Sequence, residues 1–124
     1  MTLKHIFILL FFFGLMNAEL NAEAASSSSA QAKADEAADL FAQANAAAAE
    51  SQARELYQQA ALRYRYLIEQ ENIRNFYVYY NLGNACQLSG DVGNAILNYR
   101  RAQRYQPDNP DVLKNLSFAR LKRL

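Results

Sequence analysis

Histidine is almost absent from this sequence. The single one, His5, sits beside Lys4 just ahead of an apolar run, so a chain processed beyond that run has none. That removes histidine-based acid–base catalysis, Ser-His and Cys-His nucleophile pairs, and most zinc sites. Cysteine is as scarce. Cys86 alone cannot staple its own chain, so a domain of this size must hold together by packing, which favours regular helices over a loop-rich scaffold. Of the four glycines, Gly83, Gly90 and Gly93 are spaced for helices and a turn, not for a phosphate-cradling loop. Charge of one sign is lacking too: thirteen basic residues stand against twelve acidic ones, and no strong field draws the chain to nucleic acid or an anionic membrane. No basic residue lies between Asn75 and Tyr99, across the densest aromatic run. A base-stacking platform needs arginine or lysine interleaved with aromatics, so nucleic acid is excluded as a partner. No catalytic residue, cofactor or metal is expected. The acids Asp35, Glu36 and Asp39 read as a solvated helix face.

What is present begins with an address label. Lys4 and His5 precede the apolar run Ile6 to Met16, and small residues follow, with an A-x-A pattern at Ala22, Glu23 and Ala24. That is the order of parts in a secretory signal peptide, expected to be cleaved after Ala24. The run is shorter than the ~20 residues that span a bilayer; the alternative to cleavage is a membrane anchor formed by the uncleaved segment. Export to the periplasm or cell envelope of a bacterium is the expected location.

Residues 25–30, ASSSSA, read as a small-residue linker. Gln31 to Gln70 has neither proline nor glycine and is rich in good helix formers. Leu40, Phe41, Ala44 and Ala48 recur at helical spacing, as do Leu56, Tyr57, Ala60, Tyr64, Leu67 and Ile68. A break between two helices is expected within Ala47 to Gln52, with one continuous helix as the alternative. In the connection Glu71 to Asn75, Asn72 and Asn75 are suited to capping the next helix.

The stretch Asn75 to Ala85, NFYVYYNLGNA, is aromatic enough for a strand, but a strand gains nothing from Gly83. On a helix from Phe76 to about Leu88, Tyr79, Leu82, Gly83 and Cys86 share one face. Gly90 and Asp91 form the next break, glycine as a left-handed cap and aspartate as an acceptor for the following first turn. Ala95, Ile96, Tyr99 and Ala102 make a second stripe ending near Tyr105. Pro107 to Pro110 stops that helix and starts another, with Asn109 as cap and Pro110 in the first turn. The last helix carries Val112, Leu113, Leu116, Phe118, Ala119 and Leu121 as its apolar residues, with a basic outer face. Asn115-Leu116-Ser117 matches a glycosylation acceptor, a common chance pattern.

A helix, a Gly-Asp turn, a second helix and a proline within this length form a known unit. From Phe76 to Asn109 the chain resembles a tetratricopeptide repeat, through Tyr79, Leu82, Gly83 and Cys86 in the first helix, Ala95, Tyr99 and Ala102 in the second, and Pro107 after it. Cys86 departs from the pattern, which usually has an aromatic there. Ala60, Tyr64, Leu67 and Ile68 look like the second helix of a degenerate earlier repeat over 31–75, and 110–124 like a capping helix. The resemblance implies an all-α fold of antiparallel helix pairs in a right-handed superhelix. Signal, YYNLGNA, SGDVGNAI and NYRRAQRYQP together are similar to the exported repeat proteins of bacterial aerotolerance operons.

The resemblance further implies recognition of a protein or peptide. In such repeats the concave groove is lined by first-helix residues between the structural ones, here Tyr77, Tyr80, Asn84, Gln87 and Leu88. A groove without lysine or arginine is not a clamp for a C-terminal carboxylate. One clear repeat, a degenerate one and a cap fall short of the roughly three repeats that bury a continuous core. That implies self-association, docking on a partner or truncation from a longer chain. Charge points the same way: Glu19 to Gln59 has seven acids and two bases, and Asp91 to Leu124 three acids and seven bases. Head-to-tail pairing into a homo-oligomer, a basic end offered to a partner, and plain solvated helix faces all fit that asymmetry.

Overall fold

The structure, a computed structural model, describes residues 27–124. The export segment and its cleavage point lie outside the described residues. Among those described there is no strand, and no helix is long and apolar enough to cross a membrane. Residues 27–46 are helical (α1), and from Lys33 onward they belong to the compact unit Lys33–Leu124. That unit continues with α2 (Glu50–Glu69), α3 (Phe76–Ser89), α4 (Val92–Gln103) and α5 (Pro110–Lys122). The fold is all-α. Residues 27–30, expected as part of a linker, are helical instead; serine and alanine tolerate a helix, and small size alone does not break one.

The first break falls at residues 47–49, inside the expected segment. Ala48 therefore lies exposed in the break and not on a helical stripe. Across it the helices run antiparallel, since Glu36 pairs with Arg63 at 2.7 Å while Tyr57, further back on α2, donates to Asn45 at 2.6 Å. Phe41 meets the Tyr57 ring edge-on at 5.1 Å, and Ala37 and Ala60 are fully buried. Lys33 bonds Glu71, which holds the ammonium above its ordinary value.

Each later helix end has its own chemical cause. Asn72 does not cap α3. It takes the left-handed conformation, φ 54°, that asparagine tolerates, and its successor Ile73 donates back to the Leu67 carbonyl at 3.0 Å. Asn75 is the cap, accepting from the Val78 N–H at 2.9 Å. Gly90 at φ 89° closes α3 with paired bonds from Asp91 N–H to Cys86 O (2.8 Å) and from Gly90 N–H to Gln87 O (3.2 Å). Asp91 then accepts from the Asn94 N–H, and Asn109 from those of Asp111 and Val112.

The α3–α4 pair is built around one ring. Tyr99 is fully buried, and a Cβ on Gly83 would lie 2.6 Å from its Cδ1, so this approach requires glycine. Tyr79 stacks at 6.0 Å on Tyr105, just past the end of α4, while Gly83 meets Tyr99 within it, so position advances on α3 as it retreats along the second helix and the pair is antiparallel. Leu82, Cys86, Ala95 and Ala102 complete the seam, all buried. On α5, Val112, Leu116 and Ala119 are buried, but Leu113, Phe118 and Leu121 are exposed, Leu121 at 70%. One face of α5 therefore docks, and among the described residues no element covers the other.

Candidate functional site

The five residues expected to line a groove do not act alike. Three of them, Asn84, Gln87 and Leu88, line a cleft of about 200 Å³ together with Tyr99 from α4 and Asn115 and Phe118 from α5. Leu88 and Phe118 are each about half exposed, so two apolar side chains are open to a partner. Tyr77 is not among the lining residues. It is 67% exposed on the same helix, with its ring edge-on to Phe76 at 5.3 Å. Tyr80 is half-buried, stacked on Phe76 at 5.4 Å and tilted against Tyr99 at 6.2 Å.

The polar groups at the base of the cleft are bonded to one another. The Tyr99 hydroxyl donates to Asn84 Oδ1 at 2.7 Å. The Asn115 amide donates to the same Oδ1 at 3.1 Å and to the Tyr80 hydroxyl at 3.2 Å. Three helices are tied at one point, and in a partly buried setting each such bond would be costly to leave unmade. Burial pushes the Tyr99 phenol well above its ordinary value, with Tyr80 and Cys86 adding to the effect, so it stays a neutral donor. Asn84 and Tyr80 thus spend hydrogen-bonding capacity on holding α5 against α3.

Gln87 differs. Its Oε1 is buried and has no hydrogen-bond partner, an acceptor that costs free energy until a donor reaches it. Beside it, Cys86 is 1% exposed, and burial, with a smaller contribution from Asp91, pushes its thiol up to about 11 from the ordinary 9.0. It is a small core hydrophobe, not a nucleophile, at neutral pH.

Two lining residues escaped sequence reasoning. In the sequence Asn115 stands out only within a chance glycosylation pattern, and Phe118 only as one of the apolar residues of the last helix. A signal existed for Phe118 alone. Asn81, Leu82 and Ala85 on α3 recur as Asn115, Leu116 and Ala119 on α5, 34 residues on, which sets Phe118 at the position of Asn84, a lining residue of α3. Burial repeats with the sequence, Val78 with Val112, Leu82 with Leu116 and Ala85 with Ala119. No known family model matches the chain, and no curated protein sequence matches it.

Proposed function

We propose that this protein is a non-catalytic binding module of the tetratricopeptide type, exported to the bacterial envelope, which holds a protein or peptide segment in the cleft between α3 and α5. The cleft carries the reading. It joins two exposed apolar side chains, Leu88 and Phe118, to Gln87, whose buried Oε1 lacks a donor that the backbone N–H of an extended peptide would supply. The repeat of α3 in α5 at the family's usual length, and the buried Ala60, Tyr64 and Leu67 on α2 beside Ala95, Tyr99 and Ala102 on α4, support the repeat type. Tyr77 extends the contact surface along α3, and the likeness to aerotolerance-operon proteins supports the envelope.

The test is affinity capture from envelope extracts with wild type beside a Leu88→Asp/Phe118→Asp variant. Both positions are half exposed, so the variant is expected to fold and to lose the partner. Equal recovery of one partner by both proteins would remove the cleft as the site. A second reading, self-association, is favoured by the exposed Leu113 and Leu121 on α5. Sedimentation velocity separates the two: a monomer supports the binding module, and a stable oligomer dispersed by Leu113→Glu/Leu121→Glu supports assembly.

A further inference from the structure

A second cavity, of about 520 Å³, shares no lining residue with the α3–α5 cleft. It lies where the end of α2, the connection after it, α3 and the end of α4 meet, and its polar lining is Glu69, Arg74, Tyr79, Arg101, Arg104 and Tyr105. Three arginines thus line one recess with a single acidic residue, Glu69. Among the described residues none of the three has an ion-pair partner, although Arg63 and Arg54 elsewhere do. The floor is aromatic: Tyr79 and Tyr105 stack at 6.0 Å, with the Arg101 guanidinium 5.9 Å from the Tyr79 ring. Arg101 and Arg104 also offset the partial negative charge at the end of α4. That leaves their forked donors unused, and it does nothing for Arg74.

We infer that this recess binds an acidic peptide segment in extended conformation, with carboxylates on the arginines and an aromatic or apolar side chain against Tyr105. Guanidinium matches carboxylate geometry two bonds at a time. Arg101 and Arg104 are three residues apart on a helix, about 4.5 Å along its axis. Alternate side chains of an extended strand stand about 6.6 Å apart, a gap that flexible arginine side chains bridge. Glu69 decides between a peptide and a bare phosphate. Its carboxylate repels an inorganic anion, whereas a peptide offers backbone N–H groups for it to accept. The site is independent of the α3–α5 cleft.

The probe is a labelled seven-residue peptide of alternating glutamates with a central phenylalanine, compared with its glutamine counterpart and with inorganic phosphate as competitor. Anisotropy is expected to show wild type binding the glutamate peptide at least tenfold more tightly than the glutamine one. Arg101→Gln/Arg104→Gln should lose that preference with an unchanged circular dichroism spectrum, since both side chains are exposed. The Leu88→Asp/Phe118→Asp variant should bind as wild type does, which keeps failure here distinct from failure of the cleft. Equal binding of both peptides, or an unaffected arginine variant, would overturn the inference. So would full displacement by millimolar phosphate, or a dimer abolished by the arginine substitutions when the peptide itself does not bind.

Discussion

Gly83 and Gly93 stand on neighbouring helices, and the same substitution should act on them in opposite directions. A methyl group at Gly83 meets the Tyr99 ring at 2.6 Å, and that ring is sealed in the core, so it cannot swing aside. Gly83→Ala is expected to cost about 1–3 kcal/mol through overpacking. At Gly93 an added Cβ meets nothing within 4 Å, so Gly93→Ala is expected to stabilise by about 0.5–1 kcal/mol through chain entropy. Urea denaturation of both variants checks the pair, and a neutral Gly83→Ala would contradict the close approach. Cys86 supplies a pH dependence with a definite sign. Its proton is held more tightly folded, to about 11, than the ordinary 9.0 of an open thiol. The folded state therefore binds more protons between those values, and the stability this contributes is fully present below pH 9 and lost as pH rises toward 11. The buried Tyr64 and Tyr99 phenols, also raised, act in the same direction once pH passes their ordinary value of 10.0. Stability measured from pH 8 to 11 should decline, and Cys86→Ala should flatten the decline between 9.0 and 10.0, where the thiol alone of these three groups titrates in the unfolded chain. An unchanged slope would show the thiol is not buried in this way.

At the scale of elements, α5 is held to α3 partly by the Asn115 amide. Asn115→Ala removes its bonds to Tyr80 and Asn84 and is expected to cost about 1–3 kcal/mol. Amide hydrogen exchange should quicken in Pro110–Lys122 while α2 and α3 keep their protection. Uniform quickening would instead mean that α5 is not a separable attachment. Which elements were legible in the sequence follows from where their signals reside. The ends at Asn75, Gly90–Asp91 and Asn109–Pro110 are written in local backbone chemistry, with acceptors for orphan N–H groups and a residue free to turn left-handed, and they could be read directly. The break at 47–49 has no glycine or proline to mark it, so alanines alone gave a range and not a position. Asn72 is ambiguous in the sequence because a polar residue suited to capping is equally suited to the left-handed turn that follows α2. The apolar residues of α5 could be listed but not sorted. Periodicity marks what is apolar, whereas burial of Leu116 and exposure of Leu121 depend on which neighbour is there to pack. For the same reason Asn84, Gln87 and Leu88 could be placed on a lining face of α3, but Asn115, which ties up Asn84 and Tyr80, comes from 31 residues away in the chain and appears only in three dimensions.

For the whole molecule, the unit Lys33–Leu124 carries three kinds of unspent capacity: an α3–α5 cleft with apolar rims and a buried acceptor, an outer α5 face bearing Leu113 and Leu121, and the arginine-lined recess beside Tyr79 and Tyr105. The proposed role rests on the first of these, and the most direct measurement places a photo-activated crosslinking residue in the cleft inside living cells. With the crosslinker at Leu88, the account predicts an adduct with a different protein, absent when the crosslinker replaces Arg63 on α2 and diminished by Phe118→Asp. An adduct only with a second copy of the chain, or the same adduct from both positions, would contradict a partner-binding cleft.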